Sequence, residues 1–165
     1  MRKSAFAVLL VLLVMLLAGP AHADPPERGV PPIPLEDTLV VDNCGGVQID
    51  QVGKQGEIFF GDSLLVIAPG AKATLTSLDT GTTTTVNISG PGRGTFVEND
   101  DGTATFTLVG TGNWLVFNVD DPSDPIRLVS GRFTITETYD ADGNLVSSEE
   151  DFSQARVVNM CEVLA

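Results

Sequence analysis

The stretch that most constrains the fold lies at residues 101–119, where two arms of alternating apolar and polar side chains flank Gly-Thr-Gly at 110–112. Successive side chains of a β-strand point to opposite faces of a sheet. Ala104, Phe106 and Leu108 therefore share one face, and the threonines between them share the other. The pattern predicts a central hairpin that turns at the two glycines, with one face toward a core and one toward water.

Alternating patterns of this kind recur from residue 38 to the end, separated by turn-forming residues and without a segment of helical period. We therefore expect an all-β domain, an antiparallel meander of about ten strands. It closes either into a calycin-like barrel or into a two-sheet sandwich, because strand periodicity assigns the faces and not the pairing order.

Two stretches carry more specific expectations. Residues 64–68 are uninterruptedly apolar, which predicts a strand that is either buried on both faces or folded into the middle of the domain. Residues 90–94 read Gly-Pro-Gly-Arg-Gly, without the Gly-Lys-Ser/Thr ending of a phosphate loop, and they predict a flexible corner or bulge between strands.

The N-terminus predicts export. Residues 1–23 have the basic start, apolar middle and small-residue end of a secretory signal, with cleavage after Ala23. The apolar middle, residues 5–17, is shorter than the roughly 20 residues that span a bilayer, so we expect no membrane span. Residues 24–37 hold five prolines and predict an extended leader, and residues 38–165 predict a single β-domain of a secreted, extracellular protein.

The histidine content restricts the chemistry. The single histidine, His22, lies in the predicted signal, so the exported chain has none. This excludes Ser-His-Asp and Cys-His nucleophilic sites and histidine-ligated zinc. Because no other nucleophile motif is present, the sequence favours a protein that is not an enzyme.

The chain has two cysteines, Cys44 near the start of the predicted domain and Cys161 near its end. An even number of cysteines in an exported protein predicts a disulfide. The bridge would join the first strand of the domain to the last.

The balance of charge is strongly acidic. Nine basic residues stand against 22 acidic ones, a formal net charge of −13, and loss of Arg2 and Lys3 with the signal leaves seven against 22, or −15. Such a field repels nucleic acid and anionic membrane surfaces, so we expect neither as a partner. A cation or a basic partner is more compatible.

One segment has the spacing of a calcium loop. Asp140, Asp142 and Asn144 occupy positions 1, 3 and 5, and Asp151 occupies position 12. Leu145 replaces the glycine of position 6, and strands flank the segment where a calcium loop has helices. The sequence therefore favours a plain hairpin turn, with calcium as the alternative, and it suggests no other cofactor.

Trp114 and Tyr139 are the only tryptophan and the only tyrosine. At the mouth of a barrel they would form a ligand-binding platform, whereas packing in or around the core is the ordinary role of such rings.

Several short sequences suggest a resemblance: 42–45 (Asp-Asn-Cys-Gly), 54–56 (Lys-Gln-Gly), 140–144 (Asp-Ala-Asp-Gly-Asn) and 161–165 (Cys-Glu-Val-Leu-Ala). With these motifs the chain resembles small exported all-β proteins of actinobacteria. The resemblance covers most of the exported chain and implies secretion and a β-fold. Its motifs are turns and one cysteine pair, so it assigns no functional residue.

Three functions are compatible with these patterns. The first is a secreted, non-catalytic domain, monomeric, that binds an unknown small molecule or extracellular partner or associates with the cell envelope. The second is a carboxylate-dependent hydrolase that uses the acidic loops at 99–101 and 120–124. The third is a structural or adhesive component of the envelope.

Overall fold

The structure is a computed structural model that describes residues 33–60 and 63–165. The predicted signal, its cleavage site and most of the predicted leader lie outside the described residues. The strands are β1 (Ile33–Val41), β2 (Val47–Phe60), β3 (Ser63–Ile67), β4 (Lys72–Ser77), β5 (Thr83–Asn87), β6 (Gly92–Glu98), β7 (Ala104–Gly110), β8 (Asn113–Val116), β9 (Arg127–Tyr139) and β10 (Leu145–Asn159). A 3-10 turn (Asn43–Gly45) follows β1, and a short helix, α1 (Met160–Leu164), follows β10.

All strand pairs are antiparallel, and the sheet is nearly closed into a barrel. Several strands lie end to end as two parts of one longer arm. β3 and β4 both pair with β2, at residues 56–60 and 47–52, and β6 and β5 pair with them in turn. The predicted antiparallel meander is confirmed. Its ten described strands form seven arms, because three of the arms consist of two strands each.

The predicted central hairpin is wrong. β7 and β8 do not pair with each other, and both pair with β9, through residues 133–139 and 127–130. Between them Gly131 donates its N–H to the carbonyl of Gly112 at 2.8 Å, so the arm continues across the break. Gly112 has φ +80°, a conformation that suits a kink within an arm as well as a tight turn.

A bend crosses the sheet where these arms are interrupted. At Gly53 (φ +141°) a Cβ atom would lie 2.6 Å from the Cα of Ala71, and at Gly131 (φ +130°) it would lie 2.7 Å from the carbonyl of Gln154. Glycine is therefore required where the bent arms approach most closely. We call the part with β1, β4, β5, β8 and α1 the packed half, and the part with β3, β6 and β7 the open half. β2, β9 and β10 run through both.

The packed half holds the main hydrophobic core. β4 shows the alternation expected of a strand with one covered face, because Ala73 and Leu75 are fully buried and the residues between them are not. Partly buried side chains from β8, β9 and β10 close the core from the opposite side. The buried residues of the core are Val41, Val47, Ile49, Ala73, Leu75, Ile126, Met160 and Leu164.

The open half lacks this alternation. All five residues of β3 are half-buried, on both faces, and so are the first six residues of β7. Burial on both faces, one of the two alternatives predicted for residues 64–68, is wrong, because none of these residues is buried. Only glycines and Phe133 reach full burial in this half of the described chain.

The glycines of β6 make room for aromatic rings. A Cβ atom at Gly92 would lie 2.7 Å from the ring of Trp114, and one at Gly94 would lie 2.7 Å from the ring of Phe106. The corner predicted at 90–94 is thus confined to its first two residues, and the strand begins at Gly92. On this face of β6, alternating glycines therefore lie against aromatic rings.

The ends of the domain also differ from the sequence prediction. β1 begins at Ile33, inside the segment predicted as a leader, and among the described strands it pairs only with β2. An edge strand tolerates proline such as Pro34 because one row of its backbone groups needs no strand partner. β10 runs as a single strand from Leu145 to Asn159, with register shifts between Leu145 and Ser147 and between Asp151 and Gln154.

Candidate functional site

The predicted disulfide is confirmed. Cys44 and Cys161 are bridged, with their Cα atoms 5.0 Å apart. Cys44 lies in the turn after β1, with φ +58°, and Cys161 lies in α1 after β10. The bridge therefore joins the two edge strands at the end of the packed half.

Next to the disulfide, a buried asparagine holds an acidic loop. The side-chain amide of Asn43 donates to the carbonyls of Asn118, Asp121 and Asp124 at 3.0, 3.0 and 2.7 Å. Its Oδ1 atom is buried and has no hydrogen-bond partner among the described residues. The sequence did not reveal this role, because an asparagine before Cys-Gly-Gly is indistinguishable from an ordinary turn former.

The calcium-like segment forms a hydrogen-bonded turn. Asp140 Oδ1 accepts the backbone N–H groups of Asp142 and Asn144 at 2.9 and 2.8 Å, and the Asn144 side chain also donates to this carboxylate. These bonds lower the pKa of Asp140, Asn144 contributing most.

Asp151 does not approach that turn. It lies six residues after Leu145 in β10, about 20 Å away at the rise of an extended strand. Its carboxylate accepts the backbone N–H of Ser153 at 2.9 Å, which lowers its pKa. Among residues 33–60 and 63–165, no group of three or more histidine, cysteine or acidic side chains is placed to hold a metal ion.

Trp114 and Tyr139 are not brought together. The Trp114 indole donates to the Thr111 carbonyl at 3.0 Å, and its ring meets Phe133 edge-on at 5.8 Å between centroids. Tyr139 donates its hydroxyl to Glu137 at 2.6 Å, and burial together with this carboxylate raises the pKa of Tyr139. Trp114 pairs with β9 near its start and Tyr139 ends that strand, so they form no common platform.

A second polar cluster surrounds Arg127. Its guanidinium binds Asp124 at 3.1 Å and Glu150, and it lies 5.2 Å from the ring centroid of Phe152. Burial lowers the pKa of Arg127, but the hydrogen bonds and charges of Glu150 and Asp124 together raise it by more. The pKa of Arg127 therefore lies above its ordinary value. One arginine thus pairs with both carboxylates, an arrangement of structural ion pairs.

The remaining candidate is a row of side chains in the open half. Register pairs join Ile58 to Leu65, Leu65 to Arg93 and Arg93 to Val109, across β2, β3, β6 and β7. Directly paired residues of antiparallel strands lie on the same face. We call these four residues the Arg93 row: one exposed arginine flanked by half-buried aliphatic side chains.

The Arg93 row borders a shallow cavity. The cavity has a volume of about 460 Å³ and is lined by Ser63, Leu64, Leu65 and Arg93. Arg93 Nη2 donates to Ser63 Oγ at 3.2 Å, and within the described residues the guanidinium forms no ion pair. A guanidinium has five N–H donors in a planar fork that matches a carboxylate or phosphate. The sequence pattern does not reveal this site, because the apolar run at 64–68 is typical of a core strand and the glycines at 90–94 are typical of a corner.

Comparisons with models of known protein families, with curated proteins and with solved structures found no match. Within the described part of the chain, no helix is long and apolar enough to cross a membrane.

Proposed function

We propose that this chain is a secreted, non-catalytic protein that binds an anionic amphiphile at the Arg93 row. The observation that carries the proposal is the incomplete burial of β3. Leu65 and Ile67 are half-exposed on the same face of the sheet as the Arg93 guanidinium, because Leu65 pairs directly with Arg93 and side chains alternate along a strand. Apolar side chains would cover the hydrocarbon part of the ligand, and Arg93 would bind its charged group.

The disulfide supports an extracellular location, because such bridges form and persist in oxidising compartments. The acidic surface opposes the approach of anions over long distances. Salt screens this field beyond roughly 8 Å under physiological conditions, so the contact with Arg93 decides binding at short range. We therefore expect the affinity for an anion to rise when moderate salt is added.

The geometry supports a hydrolase less well than it supports a binding protein. A carboxylate-dependent hydrolase needs two acidic side chains that face a substrate with different protonation states. Asp124 and Glu150 share one partner, because Arg127 binds both of them. Glu137 accepts a hydrogen bond from Tyr139.

Calorimetric titration with decanoate tests the proposal. We expect saturable binding to the wild-type protein and a loss of about tenfold or more in affinity for Arg93→Gln, since a charged hydrogen-bonding partner is removed. Neutral 1-decanol lacks the carboxylate, so its affinity should be the same for both proteins.

Arg132→Gln is the matched control, because Arg132 is also an exposed arginine in a strand of the sheet. It should bind decanoate as the wild type does. Absence of decanoate binding, or an equal loss for both arginine variants, would contradict the proposal.

A further inference from the structure

Within the described residues, the final strand of the sheet has one unpaired edge. β10 has 15 residues, contains neither proline nor glycine, and pairs with β9 on one side. No described strand pairs with its other side. An unpaired edge presents a row of backbone N–H and C=O groups that can accept another strand. Residues 145–151 are all exposed, so this part of the edge is accessible to a partner.

The edge also has a distinct charge. Glu149, Glu150 and Asp151 are consecutive. Of these three residues, Glu150 is the one that Arg127 binds. The cross-strand partners of Glu149 and Asp151 are Thr136 and Thr134, which carry no charge. Two acidic side chains on one face of the edge therefore lie beside neutral neighbours.

This charge argues against a second copy of the chain as the occupant. An antiparallel pair of β10 strands centred on this segment would place acidic side chains opposite acidic side chains, which destabilises the pairing. A strand with basic side chains at the same positions would instead gain cross-strand ion pairs. Beyond the acidic segment, Leu145 and Val146 are 47% and 62% exposed and offer apolar contacts.

We propose that the free edge of β10 binds an extended, basic segment of a partner polypeptide by strand addition. The backbone of the partner supplies the hydrogen bonds of a new edge strand, and its basic side chains pair with Glu149 and Asp151. β1, the other edge strand, is shorter and contains Pro34, which lacks a backbone donor. This inference goes beyond the Arg93 row and does not depend on the ligand proposed there.

A short peptide that alternates lysine and threonine serves as the probe, and fluorescence anisotropy measures its binding to the disulfide-bonded protein. We expect saturable binding that weakens with salt. The same peptide with alternate backbone nitrogens methylated keeps its charges but loses donors, so it should bind at least about tenfold more weakly. A peptide that alternates glutamate and threonine should not bind.

Two pairs of substitutions locate the site. Glu149→Gln with Asp151→Asn should weaken peptide binding about tenfold through the loss of two exposed ion pairs. Glu36→Gln with Asp37→Asn removes the same charge from exposed positions of β1 and should leave binding unchanged. Thermal melting and circular dichroism confirm that both variants fold.

Arg93→Gln should bind the peptide like the wild type, which separates this inference from the proposed amphiphile site. The inference is overturned if the lysine peptide does not bind, if its methylated form binds equally well, or if the β1 variant loses as much affinity as the β10 variant. Those last two results indicate nonspecific attraction to an acidic surface.

Discussion

β3 and β4 are consecutive strands of one arm, yet they differ in burial. Both lie between two strand neighbours, β3 between β2 and β6 and β4 between β2 and β5. In β4 every second residue is buried, whereas every residue of β3 is half-buried. The difference arises because side chains from β8, β9, β10 and α1 cover the inner face of β4. β3 and β4 thus have the same number of hydrogen-bonded strand neighbours. The two halves differ because the inner face of β4 is covered by side chains from other elements.

The two halves differ in how completely they bury their apolar side chains. The packed half holds most of the fully buried apolar side chains and therefore contributes most to stability, whereas the open half leaves apolar side chains half-exposed.

Removal of the disulfide should have the largest effect. Replacing Cys44 and Cys161 by serine frees a loop with a sequence separation of 117 residues. In the chain-entropy model, closure of such a loop contributes about 4–5 kcal/mol. We expect urea unfolding to show most of this loss, with the packed half affected first because the bridge lies there. A decrease in the free energy of unfolding of less than about 1 kcal/mol would contradict the view that the bridge holds the two ends of the sheet together.

A matched pair of leucine substitutions compares the halves directly. Leu75→Ala in β4 removes a fully buried side chain and should lower the free energy of unfolding by about 2–5 kcal/mol. Leu65→Ala in β3 removes a half-buried one and should cost roughly 1 kcal/mol. Chemical denaturation of both variants measures the difference, and equal losses would show that β3 is as well packed as β4.

Gly92→Ala tests the aromatic packing of β6. Its Cβ atom would lie 2.7 Å from the Trp114 ring, so we expect a loss of about 1–3 kcal/mol from overpacking. Trp114→Leu makes room for the added methyl group. The double variant should therefore lose less than the sum of the single variants, and strict additivity in the double-mutant cycle would contradict the contact.

Asp140→Ala should have the smallest effect, and one that depends on pH. The pKa of Asp140 lies below its ordinary value of 3.8 because Asn144 and the turn backbone bind the carboxylate. Its contribution to stability is therefore present above the unfolded pKa and is lost as the pH falls through the lower, folded pKa. The stability difference between wild type and variant should be constant above about pH 5 and shrink in acid. Urea unfolding from pH 6 to 2.5 measures it, and a difference that grows in acid would have the wrong sign.

Some features of the fold were predictable because they depend on local sequence. Alternation identified the antiparallel β-class, and the two cysteines at the ends of the domain predicted the bridge. Pairing was less predictable, since Gly112 suits a kink in one arm as well as a hairpin turn. The burial of Leu64 and Leu65 could not be read from their apolarity, because it depends on which layers reach them.

The candidate site was less accessible to sequence reasoning. Arg93 lies between Gly92 and Gly94, and this pattern resembles a loop until the rings that cover the glycines are known. Asn43 likewise gains its role only from the three carbonyls that the distant loop brings to it. Both positions depend on long-range contacts that leave no periodic signal.

Amide hydrogen exchange resolved to β3 and β4 tests the contrast between the halves most directly. Both strands are hydrogen-bonded between two neighbours, so strand pairing alone gives them the same protection. We expect the amides of β4 to exchange near the rate of global unfolding and those of β3 at least about tenfold faster, through local opening that costs about 1.4 kcal/mol less. Equal protection of the two strands would contradict the division of the molecule into a packed and an open half.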